Sequence, residues 1–174
     1  LLRASAYGNL SIMFPMISSL EELLEAKTLF GKCRKSLEKE GIPMAKTIPL
    51  GIMIETPAAV FIAEELAKEV DFFSIGTNDL SQYLLAVDRQ NAMVQDFYQK
   101  MHPAILRAIK EVADKGKKAG ISVGICGEFA GDPDFTAYFL RWGIDKLSMN
   151  APYILPLKKK ILHSDSQKEL DRSL

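Results

Sequence analysis

Five short apolar runs punctuate the chain, at residues 11–17, 50–54, 72–75, 122–126 and 146–149. None alternates cleanly between apolar and polar positions, which suits strands buried on both faces, as in a parallel sheet. Helical patterns lie between the runs. Ser18 with Glu21 and Ser19 with Glu22 each offer a capping box. Leu20, Leu23, Leu24, Phe30, Cys33 and Leu37 then recur at roughly helical spacing up to Gly41, and this reading makes Cys33 core filler. Thr56 caps and Pro57 opens a second helix with Ala59, Ile62, Ala63, Leu66 and Val70 on one face. Pro103 starts a third, with Ile105, Ile109 and Val112 inward. Asp132–Pro133 starts a fourth, with Phe135, Tyr138, Phe139 and Trp142 before Gly143. A last helix after Pro152 ends in Lys158 to Lys160, complementing its dipole, and the segment from Ser164 reads as a polar tail.

Strand and helix thus alternate about five times, which predicts a parallel sheet with covering helices. A doubly wound open sheet and a (β/α)₈ barrel compete. A barrel needs eight strands and ~250 residues, so five units could supply only part of one. Neither a GxGxxG turn nor a Walker A loop supports a nucleotide-binding open sheet. The opening segment, Leu1 to Tyr7, reads as the last turns of a helix capped by Gly8, so an upstream part is expected to precede it.

Composition narrows the class. The chain has 174 residues, 22 basic and 22 acidic side chains, net charge zero and 48% hydrophobic residues. Disorder is excluded, and a dedicated nucleic-acid or membrane-surface binder is disfavoured, because both need a basic excess. The uncharged stretch from Ala4 to Leu20 is broken by Gly8, Asn9, Pro15 and serines, so it is no membrane span. Cys33 and Cys126 form no CxxC pair. A reducing, cytoplasmic location is expected.

The chemistry gathers where ligands bind in parallel α/β folds, at the carboxyl ends of strands. The second run ends in Glu55, the third in Gly76-Thr77-Asn78-Asp79, and the fourth in Cys126-Gly127-Glu128. A carboxylate closing a buried strand is costly unless it is paired or metal-bound. Glu55 and Asp79 could instead be helix caps or ion-pair partners, but recurrence at one rim favours a site. Two carboxylates with no histidine in pattern point to a hard cation such as Mg²⁺. The Gly76-Thr77-Asn78 turn offers N–H groups for an anion. Arg89 could grip phosphate, or could be a solvated arginine paired with Asp88. Residue type alone reads Cys126 first as a buried structural cysteine, with a reactive thiol or proton donor as the alternative. His102 reads as a cap or surface residue and His163 as solvated. Met13, Met16, Met53 and Met149 read mostly as core, with some walling a pocket.

Three segments carry a resemblance. Gly51-Ile-Met-Ile-Glu-Thr-Pro-Ala-Ala, Asp71-Phe-Phe-Ser-Ile-Gly-Thr-Asn-Asp-Leu and Gly124-Ile-Cys-Gly-Glu are similar to the phosphoenolpyruvate (PEP)-utilising enzyme family. Gln82-Tyr-Leu-Leu-Ala-Val-Asp-Arg-Gln-Asn and Met101-His-Pro-Ala-Ile-Leu resemble its enzyme I branch, from the bacterial sugar phosphotransferase system. The dikinase and PEP synthase branch is the alternative. The resemblance implies the last five or so units of a (β/α)₈ barrel, spanning residues 1–163, and a cytoplasmic phosphotransferase. It implies Mg²⁺ on Glu55 and Asp79, and PEP contacts from Asn78, the Asp79 backbone and Arg89. It implies Cys126 as the acid that protonates the enolate carbon to give pyruvate. The phosphate-accepting histidine and the contacts to a phosphocarrier protein belong, by the same resemblance, to an amino-terminal domain with no motif here. Further substrate arginines would lie on earlier strands. The chain alone is therefore expected to bind PEP weakly, to be catalytically incomplete, and to self-associate, as a homodimer or otherwise, through its uncovered barrel faces. Two readings from other classes stand beside this one: a non-catalytic module, and a magnesium-dependent lyase acting on pyruvate enolate.

Overall fold

A computed structural model describes residues 1–98 and 101–163; the tail expected from Ser164 lies outside the described residues. The apolar runs form five parallel strands: β1 (Ile12–Phe14), β2 (Leu50–Ile54), β3 (Phe72–Gly76), β4 (Ser122–Cys126) and β5 (Lys146–Ser148). Their spatial order is β1-β2-β3-β4-β5. Each strand therefore pairs with the next in sequence, as in a barrel, and among the described residues the ladder stays open at β1 and β5. An open-sheet fold that reverses strand order at a switch point is not what the chain adopts. The structure is an unclosed part of a (β/α)₈ barrel.

Helices link the strands: α1 (Leu20–Lys39), α2 (Pro57–Phe61), α3 (Ala63–Leu66), α4 (Thr77–Leu85), α5 (Pro103–Ala119), α6 (Thr136–Trp142) and α7 (Ala151–His163). Their ends follow local chemistry. Ser19 Oγ accepts the Glu22 N–H at 3.2 Å, while Glu22 reaches back to the Ser18 N–H at 2.8 Å. This is the second of the two possible capping boxes, displaced by one residue. Thr56 Oγ1 accepts the Ala59 N–H, and Pro57 occupies the first turn. His102 caps α5 by accepting the Ala104 N–H on Nδ1 at 3.1 Å. Gly120 and Gly143 close α5 and α6 in left-handed conformations, which glycine adopts without steric penalty.

Alternation along each strand sorts side chains into two sets. Ile52, Ile54, Phe73, Ile75, Val123 and Ile125 face the helices and join Leu66, Ile105, Ile109 and Val112 in the main core. Phe129, Phe135 and Phe139 extend it as a stack, with centroids 4.5 and 5.8 Å apart. A smaller cluster around Leu2, Ile12 and Ile48 is covered by Phe30 and Leu37 of α1. The opposite strand face, toward the barrel interior, carries Gly51, Met53, Ser74, Gly76, Gly124, Cys126 and Ser148.

Several expectations are corrected. Cys33 is exposed, not core. The 20-residue α1 runs alongside strands of at most five residues and buries only Leu23 completely, so Cys33 and Leu24 face outward. The segment after Thr56 is two short helices, broken at Ile62 (φ −107°, ψ 21°). Gly8 follows a 3₁₀ turn at Ala4–Tyr7 in extended backbone (φ 170°), not a left-handed cap. Met16 is exposed and has a left-handed backbone (φ 56°), because the loop after β1 turns there to reach Glu55.

Candidate active site at the carboxyl rim of the sheet

Glu55 follows β2 directly and is 3% exposed. Its Oε1 accepts the Met16 N–H at 2.8 Å, so the loop after β1 fixes the carboxylate. Burial pushes its pKa above the usual carboxylate range. The Met16 bond opposes that shift, while the charge and hydrogen bonding of Asp79 reinforce it. The two acids thus share one mouth. Gly76 makes room for them: a Cβ on it would lie 2.7 Å from Glu55 Oε2.

Asp79 sits in the first turn of α4, half-buried, beside Asn78. Arg89 approaches it, with a guanidinium nitrogen 3.7 Å from Asp79 Oδ1. The expected alternative, a surface arginine paired with Asp88, is not what forms. Asp88 Oδ1 instead accepts the Gln90 N–H, and the Arg89 N–H donates to Gln82 Oε1. Asn78 Oδ1 accepts the Glu128 N–H at 3.1 Å, which leaves its NH₂ as the donor side of the amide.

Cys126 closes β4 in register with Gly76. Its backbone carbonyl accepts the Thr77 hydroxyl at 2.9 Å, stitching the start of α4 to the end of β4. Gly127 turns away with φ +101°, and a Cβ there would meet Thr77 Oγ1 at 2.7 Å and Asn78 Oδ1 at 2.9 Å, so only glycine fits. Burial raises the Cys126 thiol pKa; a hydrogen bond from Ser74 opposes this, and the charges of Glu55 and Asp79 add to it. The thiol opens on a cleft of about 840 Å³ walled also by Met149, Asn150 and Tyr153.

Glu55, Asn78, Asp79, Arg89 and Cys126 therefore come together at one rim. Glu128 is exposed but lines the same cleft as Cys126, and His163 is exposed at the last turn of α7. Two neighbours were missed from the sequence. Ser74 hydrogen-bonds Cys126; strand alternation puts both on the interior face, but only the β3–β4 register brings them together. Tyr98 has its hydroxyl pKa raised chiefly by burial, and it feels the charges of Glu128, Arg89 and Asp79. No sequence pattern marks it, because it stands outside any regular helix or strand.

Among the described residues no three His, Cys, Asp or Glu side chains converge as a metal cluster. The carboxylate pair nevertheless fits a magnesium-type ion, which takes one or two carboxylates and fills its remaining positions with water and substrate oxygens. The charge of Asp79 disfavours ionisation of Glu55, and a shared cation would relieve that.

Residues 1–166 match the family described as PEP-utilising enzyme, PEP-binding domain, and the chain belongs to that family. The chain is 50% identical over 161 residues to a phosphoenolpyruvate-protein phosphotransferase of Bacillus sp. (strain S), covering 92% of this chain and 28% of that protein. It is 48% identical over 166 residues to the protein of the same name from Haemophilus influenzae (strain Rd), covering 95% and 29%. The chain thus spans under a third of the length of these relatives. Among solved structures, a citrate lyase from Burkholderia xenovorans LB400 superposes with TM-score 0.68 at 20% identity, covering 94% of this chain and 52% of that one. An aldolase/citrate lyase family protein from Burkholderia cenocepacia J2315 gives 0.59 at 20% identity, covering 91% and 66%. At that identity the likeness speaks to the fold. No helix among the described residues is long and apolar enough to cross a membrane.

Proposed function

We propose that the chain forms part of the PEP-binding barrel of a cytoplasmic PEP–protein phosphotransferase of the bacterial sugar-uptake system. In that reading the phosphoryl group of PEP passes to a histidine on a separate domain, which serves a phosphocarrier protein, and pyruvate is released. The observation that carries the reading is the convergence of Glu55, Asp79 with its partner Arg89, and Cys126 on one rim.

Glu55 and Asp79 would hold Mg²⁺. When bound, the ion would offset charge on the phosphoryl and enol oxygens. Arg89, already oriented by Asp79, pairs with phosphoryl oxygens in a charge-assisted contact. Asn78 donates its NH₂ to the same group, since its carbonyl oxygen is occupied by the Glu128 N–H. Positioning of this kind is the main protein contribution to phosphoryl transfer. Cys126, whose raised pKa keeps it a thiol near neutrality, gives its proton to the methylene carbon of the enolate.

The test is a titration of the ¹⁵N-labelled chain with PEP and Mg²⁺. Amide shifts are expected at Thr77 to Leu80, Arg89, Gly127 and Glu128, saturating only in the millimolar range, roughly 10 mM, as befits a partial site. Shifts confined to other regions, or an undiminished response in Asp79→Ala, would overturn the reading. Because, among the described residues, β1 and β5 are each paired on one side only, self-association is also proposed; a monomeric mass by light scattering at about 100 μM would refute that part.

A further inference from the structure

We propose that Ser74 is a positioning residue for Cys126, holding the sulfur and favouring its anion as the proton leaves; this rests on the reading of Cys126 as proton donor. The ladder pairs Ser74 with Gly124, and Gly76 with Cys126. Ser74 and Cys126 are therefore diagonal neighbours on the interior face. Because Gly124 has no side chain, the Ser74 hydroxyl can reach past it. Ser74 Oγ lies 3.5 Å from Cys126 Sγ, and Sγ lies 3.5 Å from the Ile75 carbonyl oxygen. The hydroxyl donates to sulfur, and the resting S–H donates to that carbonyl. The thiol is thus held from two sides by β3.

The charged neighbours act against the anion. Glu55 beyond β2 and Asp79 in α4 both place negative potential on the sulfur. From β5, the residue paired with Cys126 is the uncharged Ser148. Lys146 is engaged elsewhere, its ammonium 5.9 Å from the Phe72 ring centroid. Ser74 is the neighbour that works in the opposite direction.

The proton step places these contacts. The S–H bond breaks and its electron pair stays on sulfur. The proton forms a C–H bond to the enolate methylene with the C=C pair, and the enolate oxygen becomes the ketone of pyruvate. Ser74 keeps its own proton and donates a hydrogen bond to the new thiolate, and bonds to charged groups are the stronger kind.

The measurement is the rate of Cys126 alkylation by iodoacetamide against pH, read by peptide mass spectrometry in a Cys33→Ser background, since Cys33 is exposed. Ser74→Ala is expected to move the midpoint upward and slow alkylation at pH 8 roughly threefold, the size of one modest hydrogen bond. Ser74→Thr, which keeps the hydroxyl, is expected to restore the parent profile. Superimposable profiles for Ser74→Ala and parent would overturn the proposal, and so would a Ser74→Thr profile that matches Ser74→Ala. No PEP enters this experiment, so failure of the PEP titration and failure here are separate results.

Discussion

Replacing Gly76 with alanine adds one methyl group at the point where fold and site meet. The new Cβ would stand 2.7 Å from Glu55 Oε2, 3.0 Å from Glu55 Cβ and 3.0 Å from Met53 Sδ. An ordinary C···O approach is about 3.3 Å or more, so Glu55 must retreat by roughly half an ångström. It cannot retreat freely, because the Met16 N–H holds its other oxygen at 2.8 Å. Overpacking of this kind costs about 1–3 kcal/mol. For a chain of this size that is a drop of roughly 2–12 °C in melting temperature. The control is the same chemical change at Gly31, inside α1, where nothing lies within 4 Å of the added Cβ. Gly31→Ala is expected to stabilise by about 0.5–1 kcal/mol, through helix propensity alone. Thermal melts followed by circular dichroism read both variants. Gly76→Ala should also lose the PEP- and Mg²⁺-dependent amide shifts, which Gly31→Ala should keep. If Gly76→Ala melts at or above the parent temperature with those shifts intact, the packing of Gly76 against the carboxylate is wrong.

Ile109→Ala, at a fully buried position of α5, is expected to cost about 2–5 kcal/mol, measured by urea unfolding. Because the Glu55 pKa is raised in the folded state, its stability contribution is complete below the unfolded carboxylate pKa and is lost as pH rises through the folded value. Ligand-free parent protein should therefore lose stability on going upward from about pH 4.5, and Glu55→Gln should flatten that dependence in melts across pH. Arg89→Ala should reduce PEP affinity by about tenfold or more in the amide titration while leaving the melting temperature nearly unchanged, since its pairing with Asp79 is loose and part-exposed.

The strands were legible because continuous apolar runs have few other uses in an alternating chain; β2 to β5 formed within a residue of the predicted limits, while the first run, 11–17, yields only the three-residue strand Ile12–Phe14. The rim was legible for a related reason: Glu55, Asp79 and Cys126 each stand where a buried run stops, and parallel pairing puts such stops side by side. Periodicity failed at the edge of a helical stripe. Phe30 and Leu37 of α1 pack onto the cluster around Ile12, while Cys33, at about 100° per residue, falls to the side of that stripe and is exposed. Met16 looked like core by residue type, but the turn that delivers its N–H to Glu55 forces the side chain outward. Ser74 and Tyr98 were invisible for different reasons. The role of Ser74 depends on the β3–β4 register, which one strand's residues do not carry. Tyr98 is brought to the site by an irregular connection.

The sequential strand order has a consequence for assembly. Since each of the five described strands hydrogen-bonds only to its neighbours in sequence, no distant ends of this ladder must meet before it can grow, and folding can begin at any adjacent pair. Severing the backbone in a loop between two strand–helix units would leave a single row of inter-strand bonds to be remade. The architecture is therefore a natural template for split halves that recombine from solution.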